Sequence, residues 1–217
     1  MEWIVVASGL HTLYLKLVMS RFPGAKVVGP TQAQAKLNVI AGGKLDYDST
    51  NAADLAAANS LLLPEGIQLF DVAGDVYTNV LVAVFEEERL MSCDLLYTHA
   101  DGEGYLDIDK ERFNEFLPEE FSKRLFRFTN FAVPNSPAGF LPVYRYQFMD
   151  PNSMGIGAYN QPAWDGSSCK LMATSLRKII KAPFKLAYGV HFNEMDRDDY
   201  VHGLDKNWNW LDGKPLI

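Results

Sequence analysis

VYTNVLVAVFEEERLMSCDLLYT, residues 76–98, reads as a β-hairpin that runs into a turn. Val76–Phe85 and Arg89–Cys93 are rich in Val, Leu and Phe, and Glu86–Glu88 supply a charged tip between them. Asp94 then stands directly after a buried strand, the position at which α/β folds carry their functional groups. Upstream, Ile67–Val72 is another run of strand period, and Trp3–Ala7 and Lys26–Gly29 are short apolar strands that each lead into a helix. Leu10, Leu13, Tyr14 and Leu17 are expected to form the inward stripe of the first helix, which Pro23 stops. Thr31 is expected to cap a second helix to about Ile40, and Asn51, with Asp54 three residues on, opens an Ala-rich third to about Leu61. Downstream, Asp109–Leu117 and Pro118–Phe128 read as two short helices. Ser167 or Ser168 caps an amphipathic helix with Leu171, Met172, Leu176, Ile179 and Ile180 inward, Lys185–Val190 is expected to be the last strand, and Asp196–Trp210 is a polar-aromatic helix or coil. The order is that of an α/β protein, and with no internal repeat and no composition break residues 1–217 read as one domain.

The composition narrows the function classes. The chain has 217 residues, 48% of them apolar, with 20 basic against 27 acidic side chains and a net charge of −7. Tracking a nucleic-acid backbone needs clustered Lys and Arg, and the densest cluster is Arg177, Lys178, Lys181 and Lys185, which reads as a solvated helix face. No nucleic-acid partner is expected. Cys93 and Cys169 are too few for a disulfide framework and lack metal-binding spacing, so they read as free thiols in the cytoplasm or another reducing compartment such as an organelle stroma. The uncharged run Trp3–Leu15 is shorter than the ~18 residues a membrane span needs, and the run Phe128–Tyr144 holds Pro134, Pro137 and Pro142. No membrane span is expected.

Standard catalytic signatures are absent: there is no P-loop, GxSxG elbow or HExxH. Gly155-Ile156-Gly157 has no strand before it and is not read as a cofactor loop. His99–Lys110 spaces Asp101, Glu103, Gly104 and Asp107 like a calcium loop, but its first ligand would be His99 and its last Lys110, so it reads as an acidic turn. Between Phe128 and Trp164 only Arg145 and Asp150 are charged, amid eight aromatic residues. Such a stretch packs instead of remaining solvated, and it reads as an insertion at about 128–164. It either caps the core or forms a lid; as a lid, Tyr144, Tyr146, Tyr159 and Trp164 would line an apolar substrate pocket for a small molecule.

Of the four histidines, His11 follows the strand Trp3–Ala7 and His191 follows Lys185–Val190, while Asp94 follows Arg89–Cys93. Imidazole and carboxylate groups at strand ends suit zinc, iron or manganese, and each of them alone would equally be a hydrogen-bonded residue at the edge of a core. His202 lies four residues after Asp198 and reads as half of a surface pair.

The succession strand, His11, helix, FPGAKVVGP (22–30), an Ala-Gly turn before VYTNVLVAVF (76–85), RLMSCDLLYT (89–98) and FKLAYGVHFNE (184–194) resembles the metallo-β-lactamase superfamily, closest to a branch of unknown function found in bacteria and photosynthetic eukaryotes. The resemblance covers roughly residues 3–100 and 165–195 and implies an αββα sandwich that lacks the superfamily's N-terminal strands. It implies that Asp94 corresponds to the metal-bridging aspartate, also positioning water, His191 to the last histidine ligand, and His11 to the first histidine motif. Two departures reduce the site. The family's HxHxDH is represented by Gly9-Leu10-His11-Thr12-Leu13-Tyr14, and its Gly-His turn by Gly74-Asp75. His11, Asp75, Asp94 and His191 would therefore hold one divalent metal, zinc, iron or manganese, or none. The two functions implied are a mononuclear hydrolase of an ester, thioester, lactone or phosphodiester, and a catalytically inactive ligand-binding or subunit protein. The missing strands imply an open sheet edge at Trp3–Ala7 or a hairpin strand, and hence a homodimer or a subunit of a complex.

Overall fold

The structure is a computed structural model that describes residues 2–9, 12, 14–74, 80–93, 95–96, 166–189, 192–208 and 211–217. Among these the chain forms β1 (Trp3–Val5), α1 (Leu15–Arg21), β2 (Lys26–Gly29), α2 (Thr31–Leu37), β3 (Tyr47–Asp48), α3 (Ala52–Leu62), β4 (Ile67–Asp71), β5 (Leu81–Phe85), β6 (Arg89–Ser92), α4 (Gly166–Ile180), β7 (Leu186–Gly189), β8 (Phe192–Asp196) and α5 (Arg197–Trp208). It is a mixed α/β protein with two sheets. The first, β1-β2-β3, is parallel; the second, in the order β4-β5-β6-β7-β8, is antiparallel except between β6 and β7. Among the described residues no helix is long and apolar enough to cross a membrane.

Strand alternation distributes the core. Val80, Val82 and Val84 pack in one cluster with Met172, Leu176 and Ile179 of α4 and Tyr200, Leu204 and Trp208 of α5. Their neighbours Leu81 and Ala83 point the other way, because successive strand residues face opposite sides, and join Leu69, Val28 and the α3 residues Ala58 and Leu62. Half-buried Trp3 and Val5 of β1 lie against that same cluster, so it draws on both sheets. Ile4 and Val6 face away from it toward Leu15 of α1 and Ala33 and Leu37 of α2. Burial of each large aliphatic side chain contributes ~1.5–3 kcal/mol, so these three clusters are the main stabilising term.

Local chemistry explains the boundaries. The Asn51 side chain accepts from the amides of Ala53 and Asp54, which satisfies two of the free N–H groups at the start of α3. A 3-10 turn at Leu63–Glu65 then ends at Gly66, whose φ of 74° is a left-handed conformation that favours glycine. Asn59 of α3 reaches β4: its Nδ2 donates to the Leu69 carbonyl at 2.9 Å and its Oδ1 accepts from the Leu69 amide at 2.7 Å.

Several sequence expectations need correction. Helix α1 begins at Leu15, and its buried side is Leu15 with the half-buried Val18 and Met19, while Tyr14 and Leu17 are 69% and 55% exposed. Helix α2 ends at Leu37, and Thr31 is its first residue; its hydroxyl bonds Asp48 instead of capping the helix. In α4 the buried stripe is Cys169, Met172, Ala173, Leu176 and Ile179, a spacing of three and four that leaves Leu171 exposed, and the two serines lie inside the helix. Lys185–Val190 is not the last strand, because β8 follows it, and β3 is a further short strand. The helices expected at 109–117 and 118–128 and the insertion at 128–164 lie outside the described residues.

Candidate functional site

Six strand ends meet at one edge. Strands β4 and β5 are antiparallel, and the Val72 amide donates to the Val80 carbonyl, so the end of β4 lies beside the start of β5. Strands β5 and β6 are also antiparallel, which brings the end of β6 to that place, and β7 runs parallel to β6 with Ser92 opposite Gly189. The first sheet joins them where the Leu81 amide, at the start of β5, donates to the Ala7 carbonyl just beyond β1 at 2.9 Å. Because β1, β2 and β3 are parallel, the ends of β2 and β3 lie on the side to which β1 points.

The chain around each end is held by described contacts. After β1, Ser8 is fully buried. After β4, the Ala73 amide donates to the Ser175 hydroxyl of α4 at 3.1 Å. After β6, the Leu95 amide donates to the Cys93 carbonyl at 2.9 Å, closing a tight turn, and Cys93, Leu95 and Leu96 are buried. Helix α5 fastens both flanks of this turn. The Tyr200 hydroxyl donates to Ser92 Oγ at 3.2 Å, and Trp208 Nε1 donates to the Leu95 carbonyl at 2.9 Å. Burial pushes the Tyr200 phenol well above its ordinary pKa, against the opposing pull of the Ser92 hydrogen bond, so it stays a neutral donor. After β7 the chain returns as β8, with Gly189 opposite Phe192.

At the ends of β2 and β3 stands a group that sequence reasoning missed. The Asp48 carboxylate accepts from the Thr31 hydroxyl, from the Thr50 hydroxyl at 2.7 Å and from the Thr50 amide at 2.9 Å. Burial works against its charge, but the hydroxyl and amide bonds from Thr31 and Thr50 prevail and hold it below the ordinary carboxylate range. Its acceptors are engaged by the protein itself, so it serves the β2–α2–β3 corner.

His11, Asp75, Asp94 and His191 each follow one of the ends of β1, β4, β6 and β7 within a few residues of sequence, and all four lie outside the described residues. So do Tyr144, Tyr146, Tyr159 and Trp164, and the acidic turn at 99–110. Among the described residues no three His, Cys, Asp or Glu side chains gather as a metal-binding group. Cys93 and Cys169 are buried thiols. His202 and Asp198 are exposed on α5, and Asp198 lies 3.7 Å from the Arg197 guanidinium. Lys178, Lys181 and Lys185 are exposed too, but Arg177 departs from the expected solvated face by gripping Asp212. The supports Ser175, Tyr200 and Trp208 escaped the sequence reading; their signal was Tyr200 and Trp208 eight residues apart, two polar-tipped aromatics on one helix face.

No family model and no curated protein matches the chain.

Proposed function

We propose that the chain, residues 1–217, is one metallo-β-lactamase-like αββα domain and a metal-dependent hydrolase. The observation that carries the reading is the convergence of the C-terminal ends of β1, β4, β6 and β7 at one edge, since each is followed in sequence by one of His11, Asp75, Asp94 and His191. Two imidazoles and two carboxylates are a donor set that suits one zinc, iron or manganese ion. When bound, such an ion supplies a Lewis acid able to activate water at neutral pH. Asp94 would orient that water toward an ester, thioester, lactone or phosphodiester carried by a small substrate. The layering of helices α1 and α2, two sheets, and helices α4 and α5 supports the αββα reading. Tyr144, Tyr146, Tyr159 and Trp164 would give the pocket apolar walls if the 128–164 stretch covers the strand ends, which would strengthen the field inside it.

The second reading is an inactive ligand-binding or subunit protein of the same fold. Gly9-Leu10-His11-Thr12-Leu13-Tyr14 favours it, because one histidine stands where the superfamily has three. Metal analysis of protein purified without chelator separates the two. Close to one equivalent of zinc, iron or manganese is expected; less than about a tenth of an equivalent overturns the hydrolase and leaves the second reading.

A further inference from the structure

We propose that Asp212–Gly213, in the tail that follows α5, is a modification site at which the aspartate converts to isoaspartate, and that Arg177 of α4 keeps it closed. The chain has three Asp-Gly pairs, Asp101–Gly102, Asp165–Gly166 and Asp212–Gly213, and both members of the last are described. In such a pair the glycine amide can attack the aspartate side chain, because no Cβ shields it. Here the turn itself demands glycine. Gly213 has a φ of 71°, a left-handed conformation that favours glycine, and it is exposed. Apart from its chain neighbours, no atom lies within 4 Å of where its Cβ would stand, so a ring has room to close. In the reaction the Gly213 nitrogen bonds to Cγ of the protonated Asp212 side chain, and the hydroxyl leaves with the amide proton as water, giving a five-membered imide. Water then adds to the carbonyl that was the Asp212 main chain, the bond from that carbon to the nitrogen breaks, and the chain runs on through Cγ. One water leaves and one returns. The mass is unchanged and no co-reactant is needed.

The Arg177 grip opposes the first bond in two ways. Nη1 donates to Oδ2 at 2.7 Å and Nη2 to Oδ1 at 3.0 Å, so the side chain is held in its charged form by a bidentate pair. A charged carboxylate is a poor electrophile, because its oxygen leaves only after gaining a proton, and the guanidinium holds this carboxyl below its usual pKa. The same two bonds, with the Lys214 amide donating to Oδ1 at 3.2 Å, also fix the plane of the carboxyl group. Attack requires it first to turn away from Arg177. Conversion, once made, unlatches the tail. Leu211 and Leu216 are buried, Asp205 accepts from the Leu216 amide at 2.6 Å, and Arg177 Nη2 also donates to the Pro215 carbonyl at 2.9 Å, so the pair lies between fixed points. Isoaspartate puts one more atom in the main chain and one fewer in the side chain between those points. Its carboxylate then cannot meet both guanidinium nitrogens while Leu211 and Leu216 stay in place.

The test ages the full chain for several weeks at neutral pH, as folded wild type, wild type in guanidinium chloride, Arg177→Gln, Asp212→Glu and Gly29→Ala. Peptide mapping counts isoaspartate at position 212 as a peptide of unchanged mass and shifted retention, resolved from the other two Asp-Gly pairs. Folded wild type is expected to convert roughly tenfold more slowly than the unfolded chain, because the carboxyl must first give up charge-assisted bonds. Arg177→Gln is expected to approach the unfolded rate at position 212, and Asp212→Glu, which would need a six-membered ring, to form no such product. Gly29→Ala strains the first sheet, far along the chain from the tail, and should convert as wild type does. Equal rates in folded and unfolded wild type would overturn the proposal, as would a folded Arg177→Gln no faster than wild type. Equal acceleration in Gly29→Ala would assign the protection to overall stability and overturn it too. Amide exchange on the aged sample checks the consequence, since tail peptides from converted molecules elute separately. They should exchange faster at Leu216 than unconverted ones, and equal exchange would show that the latch survives and remove the unlatching.

Discussion

Gly29 shows how one missing side chain lets two neighbouring strands of the first sheet close on each other. A Cβ at this position would lie 2.7 Å from the Val6 Cβ and 3.2 Å from the Val6 carbonyl oxygen, closer than packed atoms tolerate. Val6 in turn is held by its amide bond to the Val28 carbonyl at 2.8 Å and by burial against α1 and α2, so it cannot withdraw freely. Gly29→Ala is therefore expected to cost ~1–3 kcal/mol, the range for overpacking a tight core, and to lower the melting temperature by several degrees. Thermal unfolding of the purified variant checks this, and a melting temperature within a degree of wild type would show that β1 yields. The same residue scale marks the limit of what the sequence disclosed. Asp94 and His191 could be singled out because a polar residue after an apolar strand is visible in the order of letters. Tyr200 and Trp208 could not be assigned partners, because Ser92 and Leu95 are more than a hundred positions away and only the fold brings them together.

Elements were legible where their period was long and their ends were chemically marked. Helix α3 was found to within a residue because Asn51 caps it, and the β5–β6 hairpin because Glu86–Glu88 interrupt two apolar runs. Strand β3 is two residues long and β8 carries Glu194 and Asp196, so neither shows the apolar run by which strands are recognised. The tail after α5 was equally hidden, because its role rests on a pairing across sequence. Arg177 donates to both Asp212 oxygens and to the Pro215 carbonyl at 2.9 Å, and the guanidinium holds the Asp212 carboxyl below its usual pKa. A carboxylate whose folded pKa is lowered stabilises the fold above its unfolded value of ~3.9, and that contribution is lost as the pH falls through the folded value. The melting temperatures of wild type and Asp212→Asn are accordingly expected to differ by a constant amount from about pH 5 to 8 and to converge below about pH 4. Melts across that range test it, and a gap that persists unchanged to about pH 2.5 would mean that the Arg177 contact contributes through shape alone.

For the whole molecule, the unresolved demand of a two-sheet protein is its edges, since an exposed strand edge is a template for another chain. Among the described residues four strands are terminal: β1 and β3 in one sheet, β4 and β8 in the other. Strand β4 is guarded by the Asn59 amide, which occupies both polar groups of Leu69. Strand β3 is only Tyr47–Asp48, and the Asp48 amide is taken by the Asp54 carboxylate at 3.1 Å. Strand β8 carries the exposed acids Glu194 and Asp196, which oppose self-pairing through like charge. The hairpin strands β5 and β6 are interior, so of the two edges expected from sequence it is β1, Trp3–Val5, that is terminal among the described residues, while the Ala7 carbonyl beyond it is taken by the Leu81 amide. In β1 the Glu2 carbonyl and the Val6 amide pair with β2, which leaves Trp3 and Val5 in the alternate positions that face outward along the edge, with no charged residue from Trp3 to Val5. We therefore expect a homodimer or a hetero-complex that covers β1, formed across Trp3–Val5. Sedimentation velocity at tens of micromolar should show the pair, and Val5→Pro, which removes an outward-facing amide that a partner strand would need, should dissociate it. A strictly monomeric wild type, or a dimer indifferent to Val5→Pro, would assign the contact to another surface.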